Sequence, residues 1–154
     1  MLARILGNYC HTLNPKVLAP RGNYNADPSI ASLEGKRMAL VGELRERVAF
    51  DEATVKTLTG SDPLESNQKY MAPHMFLPTH KVWTMGNEKP TVRSTNDGVW
   101  RRMHLIPMLA KISEEKRIPD DRLQEMLWQE RDAILCWMVR GSVAYYEENG
   151  LTLP

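Results

Sequence analysis

Three short stretches carry residue types suited to phosphate chemistry. The apolar run from Arg37 to Val41 reads as a buried strand, and Glu43 follows just past its end. A second apolar run, Val82-Trp83-Thr84-Met85 within His80 to Gly86, also reads as a buried strand and ends by delivering Asn87, with Glu88, Lys89 and Pro90 immediately after. In open α/β sheets, ligands bind at the carboxyl ends of strands. A carboxylate there can hold Mg²⁺ or take a proton from water, and an amide beside it can orient that water against a phosphate. Each residue also has a plainer reading. Gly86, Asn87 and Pro90 are ordinary turn residues, and a glutamate past a strand is commonly a solvated end.

The third stretch is STNDGVWRRMHLIP, in which Arg101 and Arg102 are adjacent on a helical turn and so point in different directions. One can reach a phosphate or a neighbouring subunit while the other packs locally, and arginine suits charge on a transferring phosphoryl group. The alternative is two surface arginines beside an anchoring Trp100. These residues share a local basic field. Between Asn67 and His104 stand Lys69, Lys81, Lys89, Arg93, Arg101 and Arg102 against Glu88 and Asp97, a local charge of +4. Tyr70, His74 and Phe76 lie in or beside the predicted hairpin. Basic and aromatic groups on a projecting hairpin suit single-stranded nucleic acid, through phosphate contact and base stacking. Phe76 reads better as core.

The elements that must position these groups follow from local pattern. Leu2, Ile5 and Leu6 keep helical spacing, closed by Gly7-Asn8. Pro15, Pro20 and RGNYNADP make a polar loop. Asp27-Pro28 starts a helix that Gly35 ends. DEATVKTLTG is a helix with Asp51 as N-cap, Leu58 facing inward and Gly60 as stop. Residues 64 to 78 fit two short strands with a turn near Met71-Ala72-Pro73. NDGVWRRM is a helical turn, and MHLIPM is a further short strand. Pro119 opens a helix with Leu123, Met126 and Leu127 on one face. Ile134, Trp137 and Met138 continue that pattern in a last helix ended by Gly150. Near-continuous apolar strands alternating with helices predict a parallel α/β sheet covered by helices.

Composition sets bounds on function. The chain has 154 residues, 42% hydrophobic and 25% charged, with a formal net charge of +1, so no global field marks a nucleic-acid or membrane partner. Cys10 and Cys136 lack metal or redox spacing and read as two buried thiols in a reducing compartment. No apolar run approaches the ~18 residues of a membrane span, and no signal peptide opens the chain. The expected location is cytoplasmic.

Taken in order, RMALVGEL, FDEATVKTLTGSDP, THKVWTMGNEKP, STNDGVWRRMHLIPM and AILCWMVRGSVAYYEENGL resemble the carboxyl-terminal ATPase part of phage and plasmid primase–helicases, superfamily III helicases of AAA+ type. The resemblance covers nearly the whole chain and is weakest over the first 35 residues. It implies an incomplete AAA+/RecA-like parallel sheet with flanking helices, a β-hairpin insertion and a C-terminal helical pair. The implied division is 1–108 for the ATPase core and 109–154 for the helical segment. By this resemblance Glu43 falls on the Walker B acid, a ligand for Mg²⁺ or an activator of water. Asn87 falls on the sensor asparagine, and Arg101 and Arg102 on a double arginine that supplies an arginine finger across a subunit interface. Lys56 and the run Thr59 to Asp62 open the segment before the hairpin that touches DNA in the central channel, and Lys56, Lys69, Tyr70 and His74 are the expected DNA-binding residues. The implied cofactors are ATP and Mg²⁺, and the implied partners are DNA and further copies of the chain in a hexameric ring.

This sequence departs from that pattern in three places. Glu43 is followed by Leu44 and Arg45 where the family often has a second acid. Asn67 stands where the hairpin often has an arginine. The chain also holds no G-x-x-x-x-G-K-[ST] loop to cradle phosphates; LEGKRM lacks the first glycine and runs into a strand. By the resemblance, Met1 aligns just after that loop, and a central strand between those of Asn87 and His104–Pro107 is missing, which leaves sticky edges. Two readings result. The chain is a carboxyl-terminal fragment of an ATP-dependent DNA helicase acting in replication, inactive as an ATPase by itself. Alternatively it is a non-catalytic DNA- or helicase-binding remnant of a prophage gene.

Overall fold

A computed structural model of the chain describes residues 1–20, 28–42, 49–66, 70–92 and 97–151. It divides into two compact units, Gly7–Pro107 and a second made of Met1–Leu6 with Met108–Pro154.

The larger unit is built on a parallel sheet of order β1-β2-β5, where β1 is Cys10–Leu13, β2 is Met38–Val41 and β5 is Lys81–Thr84. The central strand is Met-Ala-Leu-Val, and Met38, Ala39 and Val41 are buried, as a parallel strand covered on both faces requires. Its register is fixed on both sides, Cys10↔Met38 to Leu13↔Val41 and Met38↔Lys81 to Val41↔Thr84. Two backbone bonds extend the ladders, from Arg37 N–H to the Tyr9 carbonyl at 2.8 Å and from Lys81 N–H to the Arg37 carbonyl at 3.0 Å. The sequence does not predict β1, since Cys-His-Thr-Leu offers neither an apolar run nor clear alternation. Strand β5 departs from the buried strand expected of Val82–Met85: among the described residues it pairs on one side only, and Trp83 and Met85 are exposed.

Helix α2 (Pro28–Ala31) begins at proline, whose fixed φ and absent N–H suit a first helical position. Gly35, at φ +70°, turns the chain toward β2, in a conformation that costs any residue with a Cβ. Helix α3 (Glu52–Thr59) has the expected N-cap. The Asp51 carboxylate accepts from Thr54 N–H at 2.9 Å and from the Thr54 hydroxyl at 2.6 Å, which satisfies a side chain that is buried. The helix stops at Gly60, where a Cβ would stand 2.8 Å from the Lys56 carbonyl oxygen. Strands β3 (Leu64–Ser66) and β4 (His74–Phe76) form the predicted antiparallel hairpin. Leu64, Ser66 and Phe76 face inward, so Phe76 is core. Helix α4 (Asp97–Trp100) is the expected turn, with Val99 buried.

One continuous apolar cluster joins these elements. Leu13, Val17 and Leu18 contribute from β1 and the following 3₁₀ turn, Ile30 and Leu33 from around α2, Val55 and Leu58 from α3, and Val99 from α4.

The expected strand MHLIPM does not form. Leu105 and Ile106 are exposed, and no described strand offers the segment a ladder. Pro107 also removes one donor from any such ladder. In the second unit, α1 (Leu2–Leu6) contacts α6 (Arg131–Glu147), and α5 (Asp120–Gln129) packs on α6. The Arg4 guanidinium lies 3.7 Å from the centre of the Trp128 ring, a cation–π contact. Of the predicted apolar face, Leu127, Ile134 and Met138 are half-buried, whereas Leu123, Met126 and Trp137 are exposed, Trp137 at 73%. The thiols also differ from expectation: Cys10 is half-buried and Cys136 exposed, because α6 has no cover over that face among the described residues. Burial pushes the Cys10 thiol up, opposed by the Lys36 ammonium. No helix among the described residues is long and apolar enough to cross a membrane.

Candidate functional site

The carboxyl ends of β2 and β5 lie side by side, because Val41 and Thr84 are register partners in adjacent parallel strands. Beyond Thr84 the chain passes Met85 and Gly86 and bends at Asn87, which is exposed and engaged in an interaction of its own. Beyond Val41 it reaches Gly42. Glu43 comes next in sequence and lies outside the described residues, as does Lys69. Among the described residues, no group of three His, Cys, Asp or Glu side chains gathers as a metal site.

The two adjacent arginines have separate surroundings. Arg102 is half-buried and bonded twice to backbone. Its Nε donates to the Gly98 carbonyl at 3.1 Å, one turn back on α4, and its Nη1 donates to the Thr59 carbonyl at 3.1 Å, the last residue of α3. The guanidinium therefore satisfies one of the carbonyls that a helix leaves open at its C-terminus, where positive charge is favoured. Arg101 is exposed, and its guanidinium makes no hydrogen bond or ion pair among the described residues. The pair thus separates into a structural clasp, Arg102, and an available cation, Arg101.

Lys56 joins them. It stands in the last turn of α3 and lines an open cleft of about 270 Å³ together with Thr57, Asp62, Gly98, Arg101 and Arg102, and it also borders another of about 570 Å³ beside Phe50 and Glu52. Sequence spacing did not reveal this grouping, because 45 residues separate Lys56 from Arg101. The hairpin residues fall elsewhere. Tyr70 stands fully exposed at φ +67°, at the hairpin turn. His74 is engaged by Glu34, with Nε2 2.9 Å from a carboxylate oxygen, an exposed pair that ties β4 to the loop after α2.

His80, just before β5, is 4% exposed, and neither ring nitrogen has a hydrogen-bond partner among the described residues. Burial holds its pKa below the ordinary value; the Leu58 carbonyl nearby pulls the other way, short of a well-formed bond, and Lys81 adds to the lowering. The folded protein therefore resists a proton that the unfolded chain accepts at about pH 6.5. Stability contributed by neutral His80 is complete above that value and is lost as pH falls through it toward the lower folded-state pKa. Urea titrations between pH 8 and pH 5 are expected to show this loss, at no more than about 1.4 kcal/mol per pH unit from one proton. In His80→Leu, whose side chain does not titrate, the slope in that window is expected to be shallower. An unchanged slope contradicts the assignment.

No family model matches the chain. Over 171 aligned positions, which take in the whole chain, it is 25% identical to the protein named "Putative helicase L207/L206" from Acanthamoeba polyphaga mimivirus. The chain spans 18% of that protein's length. The relationship is a distant one, to a protein with a helicase name.

Proposed function

We propose that the chain is the sensor and arginine-bearing part of an ATP-dependent DNA helicase of the superfamily III type. The observation that carries this reading is the β2–β5 register. It sets side by side the strand that leads toward position 43 and the strand that leads to Asn87. A carboxylate and an amide from neighbouring strand ends suit an attacking water and a terminal phosphate. Arg101 is the member of the arginine pair with a guanidinium to spare for a phosphoryl group on a neighbouring subunit. The distant relative with a helicase name supports the helicase part of this reading and not its superfamily. Mg²⁺ is assigned to Glu43 on resemblance, and the described residues add no further carboxylate cluster. Bound Mg²⁺ neutralises charge on the transferring phosphoryl group.

Two results are expected from the purified 154-residue chain. It turns over no ATP, since its sequence has no glycine-rich loop with lysine to hold the β- and γ-phosphates. It binds single-stranded DNA in fluorescence anisotropy, with an affinity that falls steeply between low and moderate salt and weakens in Lys69→Ala. Mg²⁺-dependent turnover that disappears in Glu43→Gln would overturn the first statement. Absence of DNA binding at low salt overturns the second.

A further inference from the structure

The cleft between the end of α3 and α4 collects three cations from two separate elements. Lys56 comes from α3, and Arg101 and Arg102 follow α4. Among the described residues Asp62 is the one acid lining it, and neither it nor Lys56 nor Arg101 forms an ion pair. The cleft thus carries a local excess of two positive charges. Bringing like charges together is unfavourable without a counter-charge, and one acid does not supply it.

The geometry of Arg102 bears on what this charge is for. Two backbone carbonyls hold its guanidinium, so its position is set before any ligand arrives. Those bonds use two of its five N–H donors. Lys56 is half-buried on a capped helix, and Arg101 stands exposed at the rim. This is a fixed cation flanked by two adaptable ones, an arrangement suited to an oxyanion. At about 270 Å³ the cleft lies below the roughly 300 Å³ at which small-molecule pockets begin. It has room for a phosphate group, and its open side lets the rest of a larger ligand remain in solvent.

We infer that Lys56, Arg101 and Arg102 form one phosphate-binding cleft, in which Lys56 and Arg101 contact the oxyanion and Arg102 supplies fixed positive charge. Asp62 sets its strength by opposing the anion. The inference rests on the reading above only for the availability of Arg101; the participation of Lys56 and the opposing role of Asp62 are new. The phosphate has two chemical sources, the terminal phosphates of a nucleoside triphosphate or a phosphodiester of single-stranded nucleic acid.

The test uses the intact chain and three probes: inorganic pyrophosphate, a non-hydrolysable ATP analogue, and fluorescein-labelled single-stranded DNA. Pyrophosphate is expected to raise the thermal midpoint of the wild type and not of the Lys56→Ala/Arg101→Ala double variant. Asp62→Asn is expected to bind pyrophosphate several-fold tighter, an effect that a purely structural role for these residues does not produce. Whichever larger probe supplies the phosphate binds at least tenfold weaker to the double variant. If that probe is DNA, each single variant also lowers the slope of log K against log salt by about one. Pyrophosphate binding with neither ATP analogue nor DNA binding supports the cleft while removing support from the helicase reading. DNA binding that is indifferent to Lys56 and Arg101, or pyrophosphate binding that persists in a folded double variant, overturns the cleft.

Discussion

Leu58→Ala is expected to destabilise the Gly7–Pro107 unit by about 2–5 kcal/mol, the range for truncating a buried leucine in a packed core. Leu58 is 1% exposed on the inner face of α3, a helix that contacts β5, α4 and the 3₁₀ turn Pro15–Leu18. The shared cluster around it includes Val17, Leu18, Val55, Phe50 and Val99. Removing its three terminal carbons loses their transfer energy and leaves a cavity that these neighbours close only in part. Domains of this kind are stable by roughly 5–15 kcal/mol in total, so the loss is a large share of what holds the fold. Urea unfolding followed by far-UV circular dichroism reads the effect as a lower midpoint at unchanged slope. Leu105→Ala is the contrast. Leu105 is 58% exposed and outside any regular element, so its loss is expected to stay within about 0.5 kcal/mol. Equal effects of the two substitutions contradict the assignment of Leu58 to the core.

The same helix shows why some features could be read from sequence. Its start and stop are local: Asp51 caps Thr54 three residues on, and Gly60 follows the last turn. Strand β2 was legible because Met-Ala-Leu-Val is apolar throughout, and the β3–β4 hairpin because Met71-Ala72-Pro73 interrupts two short runs. What escaped depends on distant partners. Strand β1 exists because β2 pairs with it, and four residues of mixed polarity do not announce that. MHLIPM has strand composition but no described ladder to join, so composition misled. His74 meets Glu34 across 40 residues of sequence, which no local pattern encodes. His80 is buried with no well-formed hydrogen bond to its ring among the described residues, against the general rule for polar groups, and nothing in THKVW marks it. For the candidate site, sequence named Asn87 and the arginine pair, but the division of labour within that pair required α3.

That division gives the second large expected effect. Arg102→Ala is expected to destabilise the unit by about 1.5–3 kcal/mol, the range for hydrogen bonds made by a charged group. Both bonds are 3.1 Å, and both acceptors are carbonyls, one on each of two helices. Truncation leaves the Thr59 carbonyl of α3 without this donor and removes positive charge from the helix end that favours it. Gly60 makes the junction harder to repair. A Cβ at that position would lie 2.8 Å from the Lys56 carbonyl, so the backbone passes too close for a side chain to replace the clasp from there. Arg102→Lys is expected to recover only part of the loss, since an ammonium cannot span two carbonyls with the fixed fork of a guanidinium. Arg101→Ala, one residue away and exposed, is expected to change stability by less than about 0.5 kcal/mol. Paired urea titrations of the three variants decide the matter. Equal destabilisation by Arg101→Ala and Arg102→Ala sinks the split between available cation and clasp. A loss confined to Arg102 means that binding defects in Arg102 variants include a loosened α3–α4 junction, so that direct contact with an oxyanion is to be tested at Lys56 and Arg101.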